Sequence, residues 1–150
     1  MKLTHDDLVA RWPELFGRDG CYPAVGDGWL RLLDGLAAKL TLLSRTWPGL
    51  TVHVSTIKEK YGGLRFYADF GCGDGVPSEA LGLADDAVSQ TEHLSHQVCE
   101  ACGDYGSARA GGWIKTLCGK CAYDTGRPIR AWEAAALVVT DAKLEPEGER

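Results

Sequence analysis

CEACGDYGSARAGGWIKTLCGKCA, residues 99–122, holds two Cys-x-x-Cys pairs, Cys99 with Cys102 and Cys118 with Cys121, separated by fifteen residues. Two intervening residues let both sulfurs of a pair turn toward one point about 2.3 Å from a zinc ion, and two such pairs complete a tetrahedral thiolate shell. Gly103 permits the tight turn of a knuckle after the first pair. Ser107–Ala110 and Trp113–Leu117 flank Gly111-Gly112, the pattern of a β-hairpin. Beyond them, a short helix begins near Gly119 and runs through Ala122–Thr125, with Gly126 as its C-cap and Pro128 just past it. Knuckle, hairpin and helix in that order predict a treble-clef-like zinc module over residues 98–127. Two redox or disulfide pairs would use the same residues, but the paired spacing and a reducing compartment speak against them. Four protein ligands leave no position for water, so the one expected Zn²⁺ is structural.

Upstream, the pattern predicts an α+β domain over residues 1–97. Thr4 and Asp7 mark the N-cap and first turn of a helix over about 5–16. From Trp29, apolar residues at Leu33, Leu36, Ala37, Leu40, Leu43 and Trp47 recur every three or four positions, which predicts the main core helix over 29–47, ended by Pro48-Gly49. Leu50–Ile57 and Leu64–Phe70 alternate apolar and polar residues and predict a hairpin over about 50–70, with Gly62-Gly63 supplying positive φ at its turn. Pro77 opens a helix to about residue 96 that carries Ala80, Leu81, Ala84, Ala87, Val88, Thr91 and Leu94 inward. A C-terminal helix over 128–142 and a flexible charged tail over 143–150 complete the expected order. The fold class is therefore α+β, a small helical and β-hairpin domain with an appended four-cysteine module.

Formal net charge is −5. It divides into 9 − 13 = −4 over residues 1–97, 5 − 3 = +2 over 98–130 and 2 − 5 = −3 over 131–150. A net-acidic chain does not attract polyphosphate through its overall field, although a local basic face does. The N-terminus turns acidic at once and no apolar run approaches a membrane span or signal peptide, so a soluble, cytoplasmic protein with no membrane partner is expected.

The candidates for catalysis do not assemble. All four histidines (His5, His53, His93, His96) precede the first zinc cysteine and the chain has no asparagine, which excludes an HNH-type nuclease arrangement. Zinc deaminases need H-x-E with P-C-x-x-C, and neither occurs. No phosphate loop of the GxxxxGK[ST] kind is present. His93 and His96 read as a solvated helix face, Asp85, Asp86 and Glu92 as helix-surface charges, Cys21 as a small buried side chain and Cys72 as a loop thiol. No catalytic residue is assigned, and a non-enzyme is expected.

The segment IKEKYGGLRFY, residues 57–67, together with the four-cysteine block, resembles a group of small bacteriophage and prophage proteins. In that group a KEK[YF]GGLR[FY] segment occurs with a C-terminal CE-x-CG…W-x-x-TLC-x-x-C zinc module. The resemblance covers roughly residues 29–123 and implies a phage or mobile-element origin. It also implies a binding protein that inhibits or modulates a bacterial host complex, for example a CRISPR or other defence component or the transcription machinery. On that reading Tyr61, Tyr67, Trp113 and Tyr123 are aromatic anchors, and Lys58, Lys60 and Arg65 set the electrostatics of an interface. Structural cover of the sheet and zinc module is the other reading of Tyr67 and Trp113. The alternative function is nucleic-acid binding through Arg109, Lys115, Lys120, Arg127 and Arg130, with Trp113 for stacking. Against it, a metal-bound four-thiolate cluster carries about −2 and largely neutralises the module's charge.

Overall fold

A computed structural model describes residues 2–17 and 21–144. Helix α1 spans His5–Arg11 and opens on a capping box: the Asp7 amide donates to Thr4 Oγ1 at 3.1 Å, and the Thr4 amide donates to the Asp7 carboxylate at 3.0 Å. The helix stops short of residue 16. Pro13 follows Trp12, and Leu15 and Phe16 fold into a separate turn closed by Phe16 N–H donating to Trp12 O. A 3-10 turn, Asp27–Trp29, leads into α2, Leu30–Thr46, which buries Leu30, Leu33, Leu36, Ala37 and Leu40. Each leucine so buried contributes about 1.5–3 kcal/mol.

Strands β1, Leu50–Lys60, and β2, Gly63–Cys72, form an antiparallel hairpin longer than the alternation predicts, because the ladder continues through the basic segment to Lys60 opposite Gly63. A bulge between Val54 and Thr56 shifts the phase, so Val54 and Ile57 both face the core. The turn residues with positive φ are Tyr61 at 53° and Gly62 at 80°, not the Gly62-Gly63 pair. A two-residue loop with both residues left-handed matches the twist of the strands. Gly63 lies against the His96 imidazole, 2.5 Å from where a Cβ would stand, so a side chain there would push that exposed ring aside.

Helix α3, Ser78–Ser95, packs on α2 and β2 through Ala80, Ala84, Ala87, Thr91 and Ser95. Leu94, expected inside, is exposed. The edge of β2 needs acceptors at this end of the helix, and polar side chains supply them: Leu64 N–H donates to Ser95 Oγ at 2.8 Å and Phe66 N–H to the Glu92 carboxylate at 3.0 Å. The other edge of the hairpin is joined by Ala24, whose amide donates to Ile57 O. Both edges of this two-stranded sheet are thus engaged within the chain.

The C-terminal part carries a second antiparallel pair, β3 (Ser107–Arg109) and β4 (Lys115–Leu117), then α4 (Gly119–Asp124) and α5 (Ala131–Leu144). Helix α5 starts three residues later than its pattern suggests, where the Glu133 carboxylate accepts the Arg130 amide at 2.7 Å. Of the tail expected over 143–150, residues 145–150 lie outside the described residues. The architecture is α+β with four clustered cysteines in the appended module. No helix among the described residues is long and apolar enough to cross a membrane.

The module is packed on the N-terminal part of the chain. Gly28 N–H donates to Glu100 O at 2.8 Å, Trp29 Nε1 to Val98 O at 2.7 Å and Thr116 Oγ1 to Gly62 O at 2.5 Å. A Cβ on residue 28 would lie 2.0 Å from the Cys99 carbonyl oxygen, so only glycine admits this contact between two backbones.

Candidate metal centre

The sulfurs of Cys99, Cys102, Cys118 and Cys121 all lie within 4.8 Å of one another. Cys102 and Cys118 sulfurs are 3.7 Å apart, close to the edge of about 3.8 Å that a tetrahedron with 2.3 Å metal–sulfur bonds requires. Two local structures set this up. In the first, Cys99 N–H donates to Asp104 O, and Gly103, at φ 86°, donates back to Cys99 O, which curls the knuckle. In the second, Cys118 ends β4 and caps α4, its sulfur accepting the Cys121 amide at 3.4 Å.

The thiol acidities differ within the cluster. Burial opposes ionisation of Cys99, yet the backbone N–H groups of Cys118, Cys102 and Ala101 outweigh it and lower its pKa. Burial pushes Cys102 up to about 11 and raises Cys121 as well, with the neighbouring sulfurs adding to the rise at Cys121. Ionisation is thus easier at Cys99 than at Cys102 or Cys121, and binding of a cation draws protons off coordinating thiols. An all-sulfur, tetrahedral donor set suits a thiophilic ion, and its four protein ligands close the shell. No other group of three or more potential ligands is close enough to hold a metal among the described residues. His93 and His96 are exposed and outside the cluster. Cys21 is buried and Cys72 exposed.

The five cations of the nucleic-acid alternative lie in different surroundings. Arg109 is buried, 5 % exposed, donating to Leu117 O and through both terminal nitrogens to Glu133. That guanidinium, with the Arg130 amide, holds Glu133 down at a pKa of about 2 despite its burial. Lys115 lies 3.2 Å from Glu100 and 3.8 Å from Glu59. Arg127 folds back onto the carbonyls of Arg109, Ala110 and Trp113. Lys120 is exposed but pairs with Asp124 at 3.0 Å. Lys120 and Arg130 line a cavity of about 300 Å³ with Tyr105, Trp132 and the Arg109–Glu133 pair.

The hairpin residues keep their exposure better. Lys58, Lys60, Tyr61 and Tyr67 are exposed and Arg65 is half-buried, its Nη1 donating to Leu64 O. Lys58 Nζ lies 5.8 Å from the Tyr67 ring centre and Lys60 Nζ 5.5 Å from that of Tyr61. Trp113 is 64 % exposed and its indole N–H donates to Glu59 at 3.1 Å. Tyr123 is exposed on α4. Sequence reasoning missed the three carboxylates that organise the module, Glu59, Glu100 and Glu133. Only Glu133 left a signal, its place three residues after Arg130 having the spacing of a helix cap.

Comparison with protein-family models, with curated proteins and with solved structures finds no match to this chain.

Proposed function

We propose that the four cysteines hold one structural Zn²⁺ and that the chain is a non-enzymatic binding protein of phage or prophage type, acting on a bacterial protein complex to inhibit or modulate it. The observation that carries this reading is the four-sulfur cluster in a module whose β3–β4 turn abuts the β1–β2 turn, both turns carrying exposed aromatics. The sulfurs of Cys99, Cys102, Cys118 and Cys121 supply every ligand a tetrahedral ion takes, which suits scaffolding, and Tyr61 and Trp113 stand 71 % and 64 % exposed where a partner could cover them. The likeness of residues 57–67 and 99–121 to phage-encoded proteins supplies the host setting, a defence component or the transcription machinery. Affinity capture from nuclease-treated bacterial lysate, with zinc content measured in parallel, tests it. One zinc per chain and a stoichiometric host protein partner are expected. A metal-free protein, or capture that yields no protein at all, overturns it.

Nucleic-acid binding is the second reading, favoured by one cavity in which Lys120 and Arg130 sit with Tyr105 and Trp132. Micromolar binding to a short oligonucleotide that weakens steeply with salt and is lost in Arg130→Glu would establish it.

A further inference from the structure

Lys58 and Arg65 face each other across the β1–β2 ladder, a like-charge pair that destabilises a hairpin. The one carboxylate of the segment, Glu59, does not relieve it. Glu59 is turned inward, its side chain 8 % exposed, and accepts hydrogen bonds from Gly62 N–H at 2.8 Å and from Trp113 Nε1. Residues 57–67 therefore present only positive charge to solvent, in a chain whose net charge is −5.

This basic face continues onto the metal module. The Gly62 carbonyl accepts the Thr116 hydroxyl, and a Cβ on Gly62 would lie 3.2 Å from Ile114 Cγ2, so the β1–β2 turn and the β3–β4 turn touch. Tyr61 on one turn and Trp113 and Ile114 on the other are all exposed. Lys115 lies between Glu59 and Glu100, and Glu100 also accepts the Gly26 amide at 3.2 Å. These three charged side chains tie the N-terminal loop, the hairpin turn and the metal module together beneath the exposed aromatics.

We infer that Lys58, Lys60, Arg65, Tyr61, Trp113 and Ile114 form one continuous docking surface for an acidic protein segment bearing a bulky apolar residue, and that this surface is complete only when the four-cysteine site is loaded. The inference rests on the protein-binding reading and adds the partner's chemistry and the metal dependence. Glu59 is a positioning residue: it fixes the Tyr61–Gly62 turn and the Trp113 ring together. An acidic peptide fits better than a nucleic-acid strand because the basic cluster is short, Lys58, Lys60 and Arg65 alone, and because Arg109, Lys115 and Arg127 are engaged by carboxylates and carbonyls of the chain itself.

A random dodecamer peptide library panned on the zinc-loaded full chain, followed by anisotropy titration of the enriched peptides, tests this. Enrichment of Asp and Glu around a large apolar residue is expected. The Kd should rise about tenfold or more in Lys58→Glu and in Trp113→Ala. It should rise comparably in Glu59→Ala and in Glu59→Gln, both of which retain their zinc, because the amide replaces one of the two acceptor oxygens that hold Gly62 N–H and Trp113 Nε1 with a donor. Stripping the metal should abolish binding while the helical signal of α2 and α3 persists. Peptides with no acidic bias, or binding indifferent to Trp113→Ala, overturn the surface. Equal binding with and without metal overturns the coupling and leaves the protein-binding reading standing. If a dT20 oligonucleotide binds more tightly than any peptide through the same residues, both fall.

Discussion

Arg109 and Glu133 meet through two parallel hydrogen bonds of 2.6 and 2.5 Å, with side chains only 5 % and 7 % exposed. The pair joins β3 to the first turn of α5, and Arg109 Nε holds the Leu117 carbonyl in addition. Residue 133 is the one buried position among 131–137, and its polar contacts fix the start of the helix. A fork-shaped guanidinium fixes the docking angle as lysine could not.

Glu133→Ala is expected to release α5 and to cost about 3 kcal/mol, because a lone buried guanidinium must be rehydrated. Limited proteolysis should cut near residues 126–131 while zinc stoichiometry stays at one. The double variant Arg109→Met, Glu133→Leu should recover much of the loss; failure to do so would mean that the charges themselves hold the helix.

Acid should act on the same contact. Glu133 titrates at about 2 when folded against 4.5 ordinarily. A depressed carboxylate contributes stability that is present in full above its unfolded pKa and lost as pH falls through the folded one. Docking of α5 should therefore be independent of pH above about 5 and weaken between 4.5 and 2. Cysteine protonation and metal release are followed separately with a chromogenic chelator. Loss of the helix contact at neutral pH would contradict the assignment.

Cys118→Ser removes one of the four clustered sulfurs while leaving a hydroxyl that can still cap α4, so it isolates the contribution of the proposed metal. Apparent binding energies of about 10–16 kcal/mol for structural zinc are large beside what a thirty-residue module gains from its own core. Residues 98–127 should unfold, seen as loss of zinc and as rapid proteolysis confined to that span. Retained stoichiometry with unchanged protease resistance would refute the four-ligand site.

Gly28→Ala should destabilise by about 3 kcal/mol, since its methyl meets backbone atoms of Cys99, Glu100 and Gly103 that have no rotamer to escape into. Gly35→Ala, in α2 with open space around it, should stabilise by about 0.5–1 kcal/mol through helix propensity. Thermal melts of the two variants check both signs.

The sequence pattern announces some of these features and hides others for definite reasons. The clustering of the four cysteines and the row Leu33, Leu36, Ala37, Leu40 were legible because sulfur spacing and helical periodicity are local. Leu94 misled because its position satisfies the period, while the hydrogen-bonding demand of the β2 edge, some thirty residues away, places Ser95 inward instead. Arg109 looked like a surface cation for the same reason: its partner lies 24 residues on, and pairing across that distance leaves no local trace. The turn was placed correctly and Gly62 is left-handed as expected, but its left-handed companion is Tyr61 and not Gly63, because a glycine pair does not say which of its neighbours the two-residue loop takes in.

The contact between Gly26-Gly28 and Glu100 spans 74 residues of chain in its longest hydrogen bond. During synthesis the early loop waits, unclosed, until the knuckle has left the ribosome, so Trp29 Nε1 lacks its Val98 acceptor for most of translation. Completion of the amino-terminal half is in this way timed by the arrival of the four-cysteine segment, and a nascent chain stalled before residue 98 would remain a substrate for chaperones and proteases.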